Sequence, residues 1–81
     1  MPDVSASVAA ARLATLTARE REIFDRIVAG DANKVIAIDL GVSVRTVESH
    51  RASIMEKMKA KTLVDLVLAS VSVRGERVRP V

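Results

Sequence analysis

Residues 33–58, NKVIAIDLGVSVRTVESHRASIMEKM, decide the fold. A short apolar-periodic segment meets a glycine break and then a longer segment rich in polar and basic side chains. That order is the pattern of a helix-turn-helix. Asn33 can cap the first helix, over about Lys34 to Leu40, and Ile36, Ala37 and Leu40 fall on one of its faces. Gly41 sits just past that helix, where the chain turns sharply and glycine adopts a positive φ without strain. Val42 can plug the corner, and Ser43 can cap a second helix from Val44 to about Met58. Val47, Ile54 and Met58 recur on one face of it, with His50 beside them. The other face carries Arg45, Glu48, Ser49, Ala52 and Glu56. It is small, polar and mixed in charge, as suits a surface that enters a DNA groove.

Outward from this core, a helix starts at Thr17. Thr17-Ala18-Arg19-Glu20 reads as a capping box, and Ile23, Phe24, Ile27 and Val28 form an apolar stripe that Gly30 ends. Downstream, Thr62 can cap a last helix, TLVDLVLASVSV, which is apolar nearly all round. The expected architecture is all-α, a compact four-helix domain over residues 16–73. Residues 1–15 read as a linker or frayed helix, and 74–81 as a flexible basic tail.

The composition narrows the function. At 81 residues the chain is one small domain. There is no cysteine, so disulfides and thiolate metal sites are excluded and a reducing compartment fits. Phe24 is the only aromatic residue, which disfavours binding of single strands through stacked bases. No run approaches the roughly 18 apolar residues of a membrane span, and the N-terminus lacks the basic start of a signal peptide. A cytoplasmic location is expected. Residues 1–33 carry 4 basic and 5 acidic side chains; residues 34–81 carry 9 and 5. The basic excess falls on the half that holds the reading helix, where phosphate contacts need it.

The run from Leu16 to Val67 closely resembles the LuxR-type DNA-binding domain, most of all the FixJ/NarL output domains of two-component response regulators. The marks are Leu16-Thr17 with Arg19-Glu20-Arg21-Glu22, Gly30, Asn33-Lys34 with Ile36-Ala37 and Leu40, Ser43 with Arg45-Thr46-Val47-Glu48, His50-Arg51, and Lys57-Met58. The resemblance covers about residues 13–72. It implies a four-helix domain with the third helix in the major groove and the fourth in a dimer contact. Carried over by position, Glu48, Ser49 and Ala52 face base edges. Lys34, Arg45, Thr46, Arg51, Ser53 and Lys57 lie near phosphates, and Val64 and Leu68 lie in the dimer contact. Glu48 can accept a hydrogen bond from cytosine N4, and Ala52 can touch a thymine methyl.

In the residues themselves, Val64, Leu68 and Val71 recur at i, i+4 and i+7 on the last helix, a stripe that a three-helix core does not need. Such a stripe marks a protein contact. A symmetric homodimer through it would present two reading helices to two half-sites. Residues 1–15 folding back onto the stripe is the other way to cover it.

Double-stranded DNA is therefore the expected partner, in the regulation of transcription. RNA polymerase and an N-terminal receiver domain are further expected partners. The chain would be either an excised output domain or a stand-alone short regulator, since at most 15 residues precede the domain. The rival reading is a protein-interaction module that sequesters a related regulator through the last helix. The scarcity of basic residues at the base-facing positions leaves it open. An enzyme is not expected: the single histidine, His50, reads as a packed residue. No phosphate-cradling glycine loop, metal constellation or cofactor motif is visible.

Overall fold

The computed structural model describes residues 6–74, without the side chain of Arg74. They form five helices: α1 (Ala6–Leu13), α2 (Ala18–Val28), α3 (Asn33–Leu40), α4 (Val44–Lys57) and α5 (Leu63–Arg74). No strand occurs among the described residues, so the fold is all-α as expected. It has one helix more than the four expected. α1 lies inside the segment read as a linker or frayed helix, and its Ala9 and Leu13 are buried. Most of the basic tail, from residue 75, lies outside the described residues.

Local chemistry sets the helix ends. Glu20 N–H donates to Thr17 Oγ1 at 3.1 Å, and Thr17 N–H donates to Glu20 Oε1 at 2.9 Å, which completes the capping box of α2. Thr46 N–H donates to Ser43 Oγ at 3.0 Å and caps α4. At α5, Asp65 N–H donates to Thr62 Oγ1 at 3.3 Å, and Asp65 Oδ2 accepts from Thr62 N–H at 3.1 Å. The cap of α3 differs from expectation. The capping position is Ala32, which offers no side-chain acceptor, and Asn33 is the first helical residue. Its Oδ1 accepts from Arg51 Nη1 of α4 at 3.3 Å, a charge-assisted bond across the motif in place of a local cap.

α2, α3 and α4 close alike. Each is followed by a residue of positive φ and then by a backbone bond that reaches back five residues. Asp31 N–H meets Arg26 O at 3.1 Å, Val42 N–H meets Ala37 O at 3.0 Å, and Ala60 N–H meets Met55 O at 2.9 Å. The positive-φ residue is Gly30 (95°) after α2, Gly41 (68°) after α3 and Lys59 (54°) after α4. Glycine takes that conformation freely; an L-residue there is strained by roughly 1–2 kcal/mol.

α2 is the central element. It packs on α3, α4 and α5, α3 packs on α4, and α1 packs on α5. The core joins Ile23, Phe24 and Ile27 of α2 to Ile36 and Ala37 of α3, Val47 and Ile54 of α4, Met58, and Leu66 and Ala69 of α5. Ala9 and Leu13 of α1 complete it. Arg26 pairs with Asp31 and with Asp39 (2.6 Å), tying the end of α2 to α3. Those two carboxylates hold the guanidinium pKa above its ordinary value, Asp31 most strongly. α1 and α2 cover one arc of α5, which is apolar nearly all round. Leu66, Ala69 and Ser70 are buried, Val71 is half-buried, and Val64 (63%) and Leu68 (54%) remain exposed.

Candidate nucleic-acid interface

The geometry of α4 follows from its capping and its inner stripe. Ser43 fixes where the helix starts, and Val47, Ile54 and Met58 fix which side faces the core. The opposite side then has to be Arg45, Glu48, Ser49, Ala52 and Glu56, and all five are exposed. At 14 residues, α4 is long enough to present about four turns to a groove. α3 supports it from behind through Ile36 and Ala37, and Gly41 sets the turn between them.

The expected base-facing residues Glu48, Ser49 and Ala52 thus share one exposed face. Lys34 and Arg45 are exposed beside it, on α3 and on the first turn of α4. Thr46 is half-buried, and its Oγ1 lies 2.9 Å from Ser43 Oγ, within the cap. Arg51 is half-buried and bridges to Asn33.

Ser53 and Lys57 are engaged inside the domain. Ser53 Oγ donates to Glu20 Oε2 at 2.7 Å, and Lys57 Nζ donates to Glu20 Oε1 at 2.7 Å. Glu20 itself is only 5% exposed. Its carboxyl pKa is lowered from 4.5 to about 2 by the Lys57 hydrogen bond first, then by the Thr17 N–H and Ser53 bonds, against the opposing effect of burial. A carboxylate that reads from sequence as part of a capping box is therefore the anchor that sets α4 on α2. The i, i+4 spacing of Ser53 and Lys57 was the one signal available for it, since both fall on the same flank of α4.

His50 is half-buried on the inner flank of α4. Among the described residues no group of histidine, cysteine or carboxylate side chains could hold a metal, and no helix is long and apolar enough to cross a membrane.

A helix-turn-helix whose second helix exposes a polar face, braced by a capping-box helix, is the class of domain that this fold defines. Residues 14–70 match the family described as bacterial regulatory proteins, luxR family. The chain belongs to that family. It is similar to the transcriptional regulatory protein FixJ of Rhizobium meliloti (strain 1021), with 60% identity over 57 residues, covering 70% of this chain and 28% of the relative. It is also similar to the transcriptional regulatory protein UhpA of Escherichia coli (strain K12), with 42% identity over 65 residues, 80% of this chain and 33% of the relative. The crystal structure of full-length FixJ from B. japonicum superposes with a TM-score of 0.79 at 39% identity, covering 89% of this chain and 36% of that one. The chain thus spans about a third or less of the length of these relatives.

Proposed function

We propose that this chain binds double-stranded DNA sequence-specifically, in the regulation of transcription, with α4 in the major groove. One observation carries the reading: in a chain of the luxR family, the face of α4 opposite the core is exposed along its whole length and holds short polar and apolar side chains between charged ones. Relatives named as transcriptional regulatory proteins support it.

Glu48, Ser49 and Ala52 face base edges. Lys34, Arg45, Thr46 and Arg51 fix the register on phosphates. Ser53 and Lys57 stand on the phosphate side of α4 but each gives a hydrogen bond to Glu20, so their part in the contact is smaller. Two copies pair through Val64, Leu68 and Val71 and present two reading helices to paired half-sites. The chain acts as the output domain of a two-component response regulator or as a short regulator by itself, in the cytoplasm, with RNA polymerase as the downstream partner.

Selection of bound sites from random duplex DNA tests this directly, because it returns the half-site and its spacing together. The parent chain is expected to bind with an affinity that falls steeply as salt rises. Arg45→Ala should weaken binding to all sequences alike and lower the salt slope by about one. Glu48→Ala and Ser49→Ala should instead change the preferred sequence, by roughly 1–3 kcal/mol at the affected base pair. A parent chain that retains no duplex at low salt overturns the reading and leaves the sequestering module in its place. Unchanged preference in both readout variants would move specificity from base contacts to DNA shape.

A further inference from the structure

Of the three helices that close through a left-handed residue, two use glycine and α4 uses Lys59. It is the one non-glycine residue of positive φ among those described. A strained position that keeps a long cationic side chain points to a use for that side chain. Lys59 lines an open groove of about 570 Å³ between α1 and the C-terminal end of α4. Val8, Ala11, Arg12 and Thr15 stand on the α1 side; Glu56, Lys57 and Lys59 stand on the other. Lys57 is paired with Glu20. Arg12 and Lys59 enter no ion pair among the described residues. With Glu56 in the same wall and Lys57 neutralised by Glu20, Arg12 and Lys59 leave the groove positive by one charge, and these two cations come from opposite walls.

Its position relates it to the reading face. Glu56 lies one turn beyond Ala52 on the same exposed face of α4 and is also a wall of the groove. The groove thus begins where the base-facing residues end. Arg12 lies outside the matched family residues, which start at 14.

We infer that this groove is a phosphate-binding element: Arg12 and Lys59 hold the phosphodiester backbone of the duplex whose bases α4 reads. The inference rests on the DNA-binding reading above and extends the footprint onto α1. Its charge is complementary to either a phosphate strand or an acidic protein segment; the occupant is the duplex because the groove is continuous, through Glu56, with the face of α4 proposed to read bases.

The test measures duplex binding as a function of salt for the full 81-residue chain and for Arg12→Gln, Lys59→Asn and Lys59→Gly. Asn and Gly both accept a left-handed backbone, so neither variant threatens the turn. Each is expected to reduce the salt slope by about one and to weaken binding roughly three- to tenfold at low salt, equally on a selected and a random duplex. Lys59→Gly should at the same time raise the melting temperature, a split that a merely structural lysine would not produce. A single neutral methylphosphonate, moved along the strand, should find one position that weakens the parent and leaves Arg12→Gln unaffected. A parent chain that binds no duplex overturns the DNA-binding reading itself. A parent that binds, with Lys59 variants of unchanged affinity and slope, overturns the groove alone. Variants that keep DNA affinity but lose binding to poly-glutamate would also overturn it and assign the groove to acidic protein. Should Arg12→Gln fail to fold, the two Lys59 variants decide.

Discussion

Glu20→Ala is expected to cost the domain about 3 kcal/mol of stability, from the loss of half of a capping box and of two part-buried charge-assisted bonds. A chain of this size has on the order of 4–12 kcal/mol in total, so the variant should show a clear drop in its urea midpoint. One carboxylate accepts from Thr17 N–H at 2.9 Å, from Lys57 Nζ at 2.7 Å and from Ser53 Oγ at 2.7 Å. Alanine leaves all three donors without that acceptor. Lys57 is half-buried and can recover water, which keeps the loss from being larger. Glu20→Gln keeps the volume and one acceptor but not the charge, and should lose about half as much.

The same carboxylate makes a pH prediction. Its folded pKa, about 2, lies below the ordinary 4.5. A depressed acid stabilises the fold fully above its unfolded pKa, and that contribution fades as the pH falls from 4.5 through about 2. Asp65, whose pKa is lowered mainly by the Lys61 and Thr62 N–H groups, titrates in the same direction. The difference between parent and Glu20→Gln isolates Glu20. The parent should lose stability more steeply than the variant across that window. Parallel curves would show that Glu20 is not held as a buried, paired carboxylate.

What was legible in the sequence was local. The Thr17 and Ser43 caps, the Gly41 turn and the inner stripe of α4 depend on residues within a few positions of one another, and each appears where its pattern places it. Two features were not legible because they depend on distant partners. α1 is a short Ala-rich helix with two buried residues, Ala9 and Leu13, and its packing surface exists only once α5 is in place. Glu20 looks like a cap until the fold brings residues 33 and 37 positions away onto it. Asn33 is not the cap because α3 starts on it, one residue past the capping position, and its amide oxygen accepts from Arg51 of α4. The all-round apolarity of α5 marked it as having more than one neighbour but did not say which. α1 does fold back onto it, and yet Val64 and Leu68 stay exposed.

That residual exposure leads to the second large effect. Leu68→Asp should leave helical content almost unchanged and weaken assembly of two chains on paired half-sites by roughly 100-fold or more. The side chain is 54% exposed, so in one chain the charge remains in water and the core, built on Leu66 and Ala69 of the same helix, is untouched. In a symmetric contact the carboxylate would be buried twice against Val64 and Leu68 positions of the other copy, with no cation on that stripe to pair with. Single-site binding should survive, since α4 and its support from α2 and α3 do not involve Leu68. Sedimentation of the protein with paired-site and single-site duplexes separates the cases. If the variant still loads two chains on the paired site as tightly as the parent, the dimer contact lies elsewhere. Val35 and Ile38 of α3, exposed by 45% and 70%, would be the next apolar surface to change.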